Sequence, residues 1–241
     1  MKRLLSLLLL LLPFMLEAQD DASEYVLVSE IIIEGNDVTK DAVILRELTF
    51  VVGDTISLQH FDEVLKVSRE NVLNTTLFNF VSIEQKDDDS TENGVVVQIT
   101  VVERWYLWVY PYLAYSDRNL NAWYEANDIT RFSYGVEMKY RNFLGLKHNL
   151  NLTVIAGYNQ NYGLSYDMPF GIGKQTLGFE VGMRYKRDKE VQYITESNKI
   201  SYFNGDDKFA KQSGGVFVEP YYRFGYRNKL YFNCSYNNIS P

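Results

Sequence analysis

The stretch Phe132-Ser133-Tyr134-Gly135-Val136-Glu137-Met138-Lys139-Tyr140-Arg141 alternates without a break. Phe132, Tyr134, Val136, Met138 and Tyr140 fall on one face of an extended chain, and Ser133, Gly135, Glu137, Lys139 and Arg141 on the other, because strand side chains have a period of two. The same period returns downstream in Leu150, Leu152, Val154, Ala156 and Tyr158, then in Tyr162, Leu164, Tyr166 and Met168. It continues in Leu177, Phe179, Val181, Met183 and Tyr185, in Val216, Val218, Tyr222 and Phe224, and in Leu230, Phe232, Cys234 and Tyr236. A soluble β-sandwich also alternates. Here, however, the apolar side is studded with tyrosine and phenylalanine, while the polar side carries glycine, amide and charge with few bulky aliphatics. Segments of about ten residues with that polarity are the mark of transmembrane barrel strands. Residues 130–241 are therefore expected to be the N-terminal strands of an outer-membrane β-barrel. The six segments are fewer than the eight or so strands of the smallest closed barrels, so the barrel is expected to be truncated.

The chain's beginning agrees with export. Lys2 and Arg3 precede a nearly unbroken leucine run from Leu4 to Leu12, and Pro13 ends it. Ala18 offers a small residue before Gln19, which completes the order of a secretory signal peptide over residues 1–18, with cleavage between Ala18 and Gln19. The apolar run is short for a membrane-spanning helix, which needs about 20 such residues. Residues 19–24 read as a polar leader. The 241 residues carry 24 Lys or Arg against 31 Asp or Glu, a net charge of −7, and show no basic cluster, which argues against nucleic acid as a partner. One cysteine, Cys234, cannot form an internal disulfide, and two histidines are too few for a histidine-rich metal site. The 19 tyrosines suit a membrane interface, where one end of the ring is wet and the other apolar.

Between Tyr25 and Arg104 the pattern changes to a small α+β domain. Val26, Val28, Ile31 and Ile33 mark a strand that ends at Gly35-Asn36. Thr39 is placed to cap a helix running through Leu48, with Ala42, Val43, Leu45 and Leu48 apolar. After a turn at Gly53-Asp54, Ser57 is placed to cap a second helix whose Leu58, Phe61, Leu65 and Val72 recur at helical spacing. Phe78, Phe80, Val81 and Ile83 predict a second strand. A loop from Asp87 to Gly94 leads into a third, with Val95, Val97, Ile99 and Val101 alternating. Residues 105–129, rich in aromatics and containing Pro111, are expected to be a connector that enters the membrane interface.

The strand-helix-helix-strand-strand order resembles a POTRA domain, the periplasmic module of the BamA/TamA superfamily of outer-membrane insertases and translocases. The matching positions are Ile33-Glu34-Gly35-Asn36, Thr39, Ile44-Leu45-Arg46-Glu47-Leu48, Gly53-Asp54-Thr55-Ile56, Leu77-Phe78-Asn79-Phe80-Val81 and Val101-Val102-Glu103-Arg104. In the second half, Tyr134-Gly135, Asn142-Phe143-Leu144-Gly145 and Tyr166-Asp167-Met168-Pro169 resemble the opening hairpins of that superfamily's barrel. The resemblance implies an outer-membrane location with the small domain in the periplasm. It also implies a role in outer-membrane protein assembly or polypeptide translocation. Its partners would be unfolded outer-membrane or secreted polypeptides, the lipid bilayer, and periplasmic chaperones or accessory assembly subunits.

A mechanism suits that role. A strand at the edge of a sheet accepts an extended client by backbone hydrogen bonds. The expected edges are Phe78, Phe80, Val81 and Ile83 in the small domain, and Phe132, Tyr134, Val136 and Met138 in the first barrel strand. The alternative is a porin or adhesin with a periplasmic domain. A hydrolase finds no support, because the sequence holds no G-x-S-x-G elbow. His60 and His148 lack histidine partners in sequence, and Asp87–Asp89 and Asp206-Asp207 do not follow a calcium-loop spacing. No catalytic residue, cofactor or metal is expected.

Overall fold

A computed structural model describes residues 25–87, 93–116, 129–172, 176–196, 199–204, 208–224 and 228–240. The signal segment with Ala18 and Gln19, the polar leader, most of the acidic loop after Asp87, and Asp206-Asp207 lie outside the described residues. The chain divides into two compact units. One comprises residues up to Glu34 together with Glu47–Asn74 and Val81–Val101; the other comprises Gly35–Arg46, Thr75–Phe80 and Val102 onward. The division therefore does not fall cleanly at Arg104. Two short segments from the first hundred residues group with the strands that follow Val102.

The small sheet has the order β2-β1-β4-β3. Its strands are β1 (Tyr25–Glu34), β2 (Thr55–Ser57), β3 (Phe78–Asp87) and β4 (Gly94–Glu103). The central pair β1 and β4 is parallel, with a shift in register between Val28 and Glu30. At that irregularity Ser29 Oγ donates to the Val95 carbonyl at 2.9 Å. Central parallel strands are covered, and Val28, Val95, Val97, Ile99 and Val101 are buried. Helix α2 (Leu58–Asn74) buries Phe61, Leu65, Ser68 and Val72. Leu58, expected on that stripe, is exposed. Ser68 occupies an apolar position because its hydroxyl accepts the Thr49 N–H at 3.0 Å and meets Thr49 Oγ1 at 2.8 Å. Each fully buried phenylalanine such as Phe61 contributes roughly 1.5–3 kcal/mol.

Helix α1 covers only Asp41–Leu45. The expected helix reached Leu48 with Thr39 as its cap. Lys40 instead precedes the helix, and no side chain caps it. Thr39 is withdrawn for another purpose, described below.

The larger sheet has the order β13-β12-β9-β8-β7-β6-β5, with β14 also on β12, and does not close into a barrel among the described residues. Its strands are β5 (Leu107–Tyr115), β6 (Phe132–Phe143), β7 (His148–Gly157), β8 (Gln160–Ile172), β9 (Leu177–Asp188), β12 (Lys211–Phe224), β13 (Asn228–Tyr231) and β14 (Cys234–Ser240). A separate hairpin, β10 (Glu190–Glu196) and β11 (Lys199–Asn204), lies between β9 and β12 in sequence. Since β13 and β14 both pair with β12, they continue one another across Phe232 and Asn233.

Registers settle the facing. Met138 pairs with Leu152, Leu152 with Leu164, Leu164 with Met183, Met183 with Val216, and Val216 with Tyr236. Opposed residues in a sheet share a face, so the apolar sets of successive strands join into one continuous apolar surface. The other face is polar. Asn149 Nδ2 donates to Asp167 at 2.9 Å, and the Tyr221 hydroxyl donates to the other Asp167 oxygen at 2.9 Å.

The aromatic connector is corrected. Residues 107–115 form β5, paired with β6 over its full length from Leu107 opposite Tyr140 to Tyr115 opposite Phe132. Its alternation escaped notice because both faces are aromatic or aliphatic. Leu107, Val109 and Leu113 look one way, and Trp108, Tyr110 and Tyr112 the other. Aromatic and β-branched residues favour strands, and a proline is accommodated on an edge strand.

Candidate functional site

Two sheet edges and one buried joint stand out. In the small sheet β3 is an edge strand. Phe78 and Val81 are core residues, whereas Phe80 is 52% exposed. Ile83 lies between. The strand does not keep a clean alternation across Phe78–Val81, so the expected edge residues divide: two anchor the strand and Phe80 is offered outward. The Val81 carbonyl already accepts from Arg69 Nε at 2.8 Å.

In the larger sheet the expected edge is displaced. Phe132, Tyr134, Val136 and Met138 belong to β6, which is hydrogen-bonded on one side to β5 and on the other to β7. A strand paired on both sides has no free backbone groups for a newcomer. Among the described residues the terminal strand of the sheet path is β5. The Arg141 N–H donates to the Tyr106 carbonyl at 2.9 Å and the Ser116 N–H to the Arg131 carbonyl at 3.1 Å. Even-numbered residues of this segment therefore bond toward β6, and Leu107, Val109, Pro111 and Leu113 turn their backbone groups away from it. A cavity of about 460 Å³ opens beside this strand. Its walls include the indoles of Trp105 and Trp108 and the cations Arg104, Lys139 and Arg141.

The joint lies where β6 turns into β7. Asn142 is fully buried, and Thr39 is 2% exposed. Asn142 Nδ2 donates to Thr39 Oγ1 at 2.8 Å, while Asn142 Oδ1 accepts the Lys147 N–H at 2.8 Å. The Thr39 hydroxyl donates in turn to Glu103 Oε1 through a very short contact. The same carboxylate accepts the Thr39 N–H at 2.7 Å and the Val38 N–H at 3.0 Å. Tyr106 Oη lies 3.2 Å from Thr39 Oγ1 and donates to the Leu77 carbonyl at 3.0 Å. Burial, reinforced by the nearby Glu103 carboxylate, raises the Tyr106 phenol above its usual pKa of 10.0, with the Thr39 hydrogen bond opposing. Nearly every polar atom of the cluster is satisfied, as a buried network requires.

The turn itself is built from left-handed residues: Asn142 at φ 56°, Leu144 at 59°, Gly145 at 73° and Lys147 at 63°. The ladder slips between Arg141 and Phe143, so Asn142 is the extra residue of a bulge, and its side chain is re-aimed into the joint. The Gly145 carbonyl accepts the Lys40 N–H at 2.9 Å. Thr39, Asn142 and Gly145 were each legible as a motif position. Their meeting was not, since 103 positions of sequence separate Thr39 from Asn142.

The comparisons with known proteins accord with this geometry. Residues 26–104 match the family model described as POTRA, surface antigen variable number repeat. That segment is a POTRA domain. Among solved structures, it resembles BamA from Haemophilus ducreyi lacking POTRA domains 1–3, with a TM-score of 0.53 at 17% identity, over 89% of this chain and 42% of that one. CdiB from Acinetobacter baumannii gives a TM-score of 0.44 at 15% identity, over 90% of this chain and 39% of that one. CdiB from Escherichia coli gives 0.32 at 13% identity, over 91% and 46%. No curated protein matches. The chain spans about two fifths of the length of the BamA structure it resembles. The POTRA domain thus supplies β1 to β4, and the sheet from β5 onward resembles part of a BamA barrel.

Proposed function

We propose that this protein acts in outer-membrane protein assembly or polypeptide translocation, with its POTRA domain in the periplasm and the sheet from β5 onward in the outer membrane. One observation carries the reading: a sheet with a single continuous apolar face ends in β5, an edge strand whose outward backbone groups point away from the sheet. Backbone groups in hydrocarbon must be hydrogen-bonded, so such an edge has a strong tendency to recruit another strand. The β3 edge offers a second, watery position for an extended client. Both edges read backbone, which suits unfolded polypeptides of many sequences. The role needs no catalytic group, cofactor or metal. Similarity to BamA supports it through fold.

Photo-crosslinking in cells tests it. A photoreactive residue at Phe80 or Leu113 should form adducts with newly exported barrel polypeptides, and one at Val136 should form none. A folded, membrane-inserted protein that yields no adduct at either edge would overturn the reading in favour of a passive barrel.

A further inference from the structure

The β5 edge is not uniform. From its start to Leu113, the positions Leu107, Val109, Pro111 and Leu113 turn their backbone groups outward, as Tyr115 does at its end, and two of the first four are compromised. Proline has no N–H, so the middle of the edge lacks a donor. The indole Nε1 of Trp105 donates to the Leu107 carbonyl, so the start of the edge lacks a free acceptor. Among the described residues Val109 and Leu113 keep both groups, and Leu113 is 73% exposed.

We propose that Pro111 and Trp105 set the register in which β5 accepts an incoming strand, and keep that strand exchangeable; this rests on the strand-capture reading above. In an antiparallel pair each outward residue exchanges two hydrogen bonds with the residue opposite. Val109 and Leu113 can do so. Opposite Pro111 the incoming residue can donate to the Pro111 carbonyl, but its own carbonyl finds no partner. At Leu107 the newcomer must first displace the Trp105 indole. Between Leu107 and Leu113, full two-bond pairing is thereby confined to Val109 and Leu113, with a weak point at Pro111 between them. The facing of β5 adds a side-chain rule. Residues opposite Val109, Pro111 and Leu113 lie on the apolar face, and their neighbours lie on the side of Trp108, Tyr110 and Tyr112. The occupant is therefore an extended strand of alternating polarity whose apolar residues meet the odd positions of β5. A proline here also fits a strand left without a permanent partner on one side, because proline is excluded from strands paired on both sides.

The experiment uses the full chain in detergent micelles and, as probe, a fluorescent synthetic copy of β6 (Phe132–Phe143), a strand that β5 already pairs on its other side. Release of the peptide is timed, and its register is mapped by disulfide trapping from Leu113→Cys to single cysteines in the peptide. The wild-type protein should hold the peptide in one dominant register. Pro111→Ala restores one backbone donor and should slow release about two- to twelvefold, the range for one net hydrogen bond, while broadening the registers trapped. Trp105→Phe leaves β5 itself unaltered, frees the Leu107 carbonyl, and should also slow release. Equal release and the same single register in all three proteins would overturn the inference and leave strand capture standing. Absence of any binding to the wild-type protein would overturn both.

Discussion

Asn142 Nδ2 donates to Thr39 Oγ1 at 2.8 Å, joining the first turn after β6 to a segment 103 positions earlier. Both side chains are buried, so neither can turn to water if the other is lost. Thr39→Val removes the hydroxyl that receives from Asn142 and donates to Glu103 while keeping the shape. A buried polar group left without its partner costs about 1–3 kcal/mol. The variant should lower the urea midpoint of the full chain in detergent by that free energy divided by the slope, with the slope unchanged. Asn142→Ala should cost at least as much, because alanine also tolerates the left-handed backbone poorly. A neutral result for both would show that the network contributes no stability.

Gly145 tests the same joint by shape. A Cβ there would stand 2.1 Å from the Val38 carbonyl oxygen, at φ +73°. Gly53, at φ +93°, has nothing within 4 Å of the same atom. Gly53→Ala therefore meets backbone strain alone, about 1–2 kcal/mol, whereas Gly145→Ala adds an overpacking cost of about 1–3 kcal/mol. Thermal melts of the two variants compared directly should rank Gly145→Ala as clearly the less stable. The opposite order would contradict the placement of the turn.

Much of this was legible in the chain itself. The period-two pattern of Phe132–Arg141 and its repeats identified the strands of the larger sheet, because one face is apolar and the other polar. The strand-helix-helix-strand-strand order followed from turn glycines and switches of period, but the three-residue β2 (Thr55–Ser57), too short to show an alternation, was not in it. Residues 107–115 were missed because aromatic side chains on both faces erase the hydropathy contrast on which the reading depends. That omission moved the expected edge one strand inward, to Phe132–Met138. Thr39 looked like a helix cap because local spacing cannot show that Glu103 and Asn142 arrive from far along the chain. Edges and joints are properties of tertiary pairing, and single-strand patterns do not encode them.

Facing in the membrane sheet can be tested at adjacent positions of β6. Val136 lies on the apolar face, opposite Pro111 and Val154, and Glu137 on the polar face, opposite Tyr110 and Thr153. Val136→Arg should destabilise the folded protein in lipid by roughly 2–4 kcal/mol, the cost of a charge near the bilayer midplane. Glu137→Arg should cost much less. Gly135 is unsuitable for the comparison, since a Cβ there would meet the Val154 carbonyl oxygen at 2.0 Å. Equal losses at Val136 and Glu137 in a vesicle-folding assay would reject the assigned faces.

Tyr106 gives the joint a pH signature. Its phenol is raised above 10.0 in the folded protein, by burial first and by Glu103 next. A raised phenol holds its proton more tightly folded than unfolded. The stability it contributes is therefore fully present below pH 10.0 and is lost as pH climbs from there through the folded pKa. Other tyrosines among the 19 also ionise in this range, so the informative quantity is a difference between two proteins. Tyr106→Phe loses the hydrogen bond to the Leu77 carbonyl, which should cost about 1 kcal/mol at neutral pH. Above pH 10 the wild-type protein alone releases this proton on unfolding, which favours its unfolded state. The gap between wild type and variant should hold constant from pH 7 to 9 and narrow beyond 10 in urea titrations. A gap that stays constant to pH 11 would mean that Tyr106 titrates as it does in the unfolded chain, and that the joint does not enclose it.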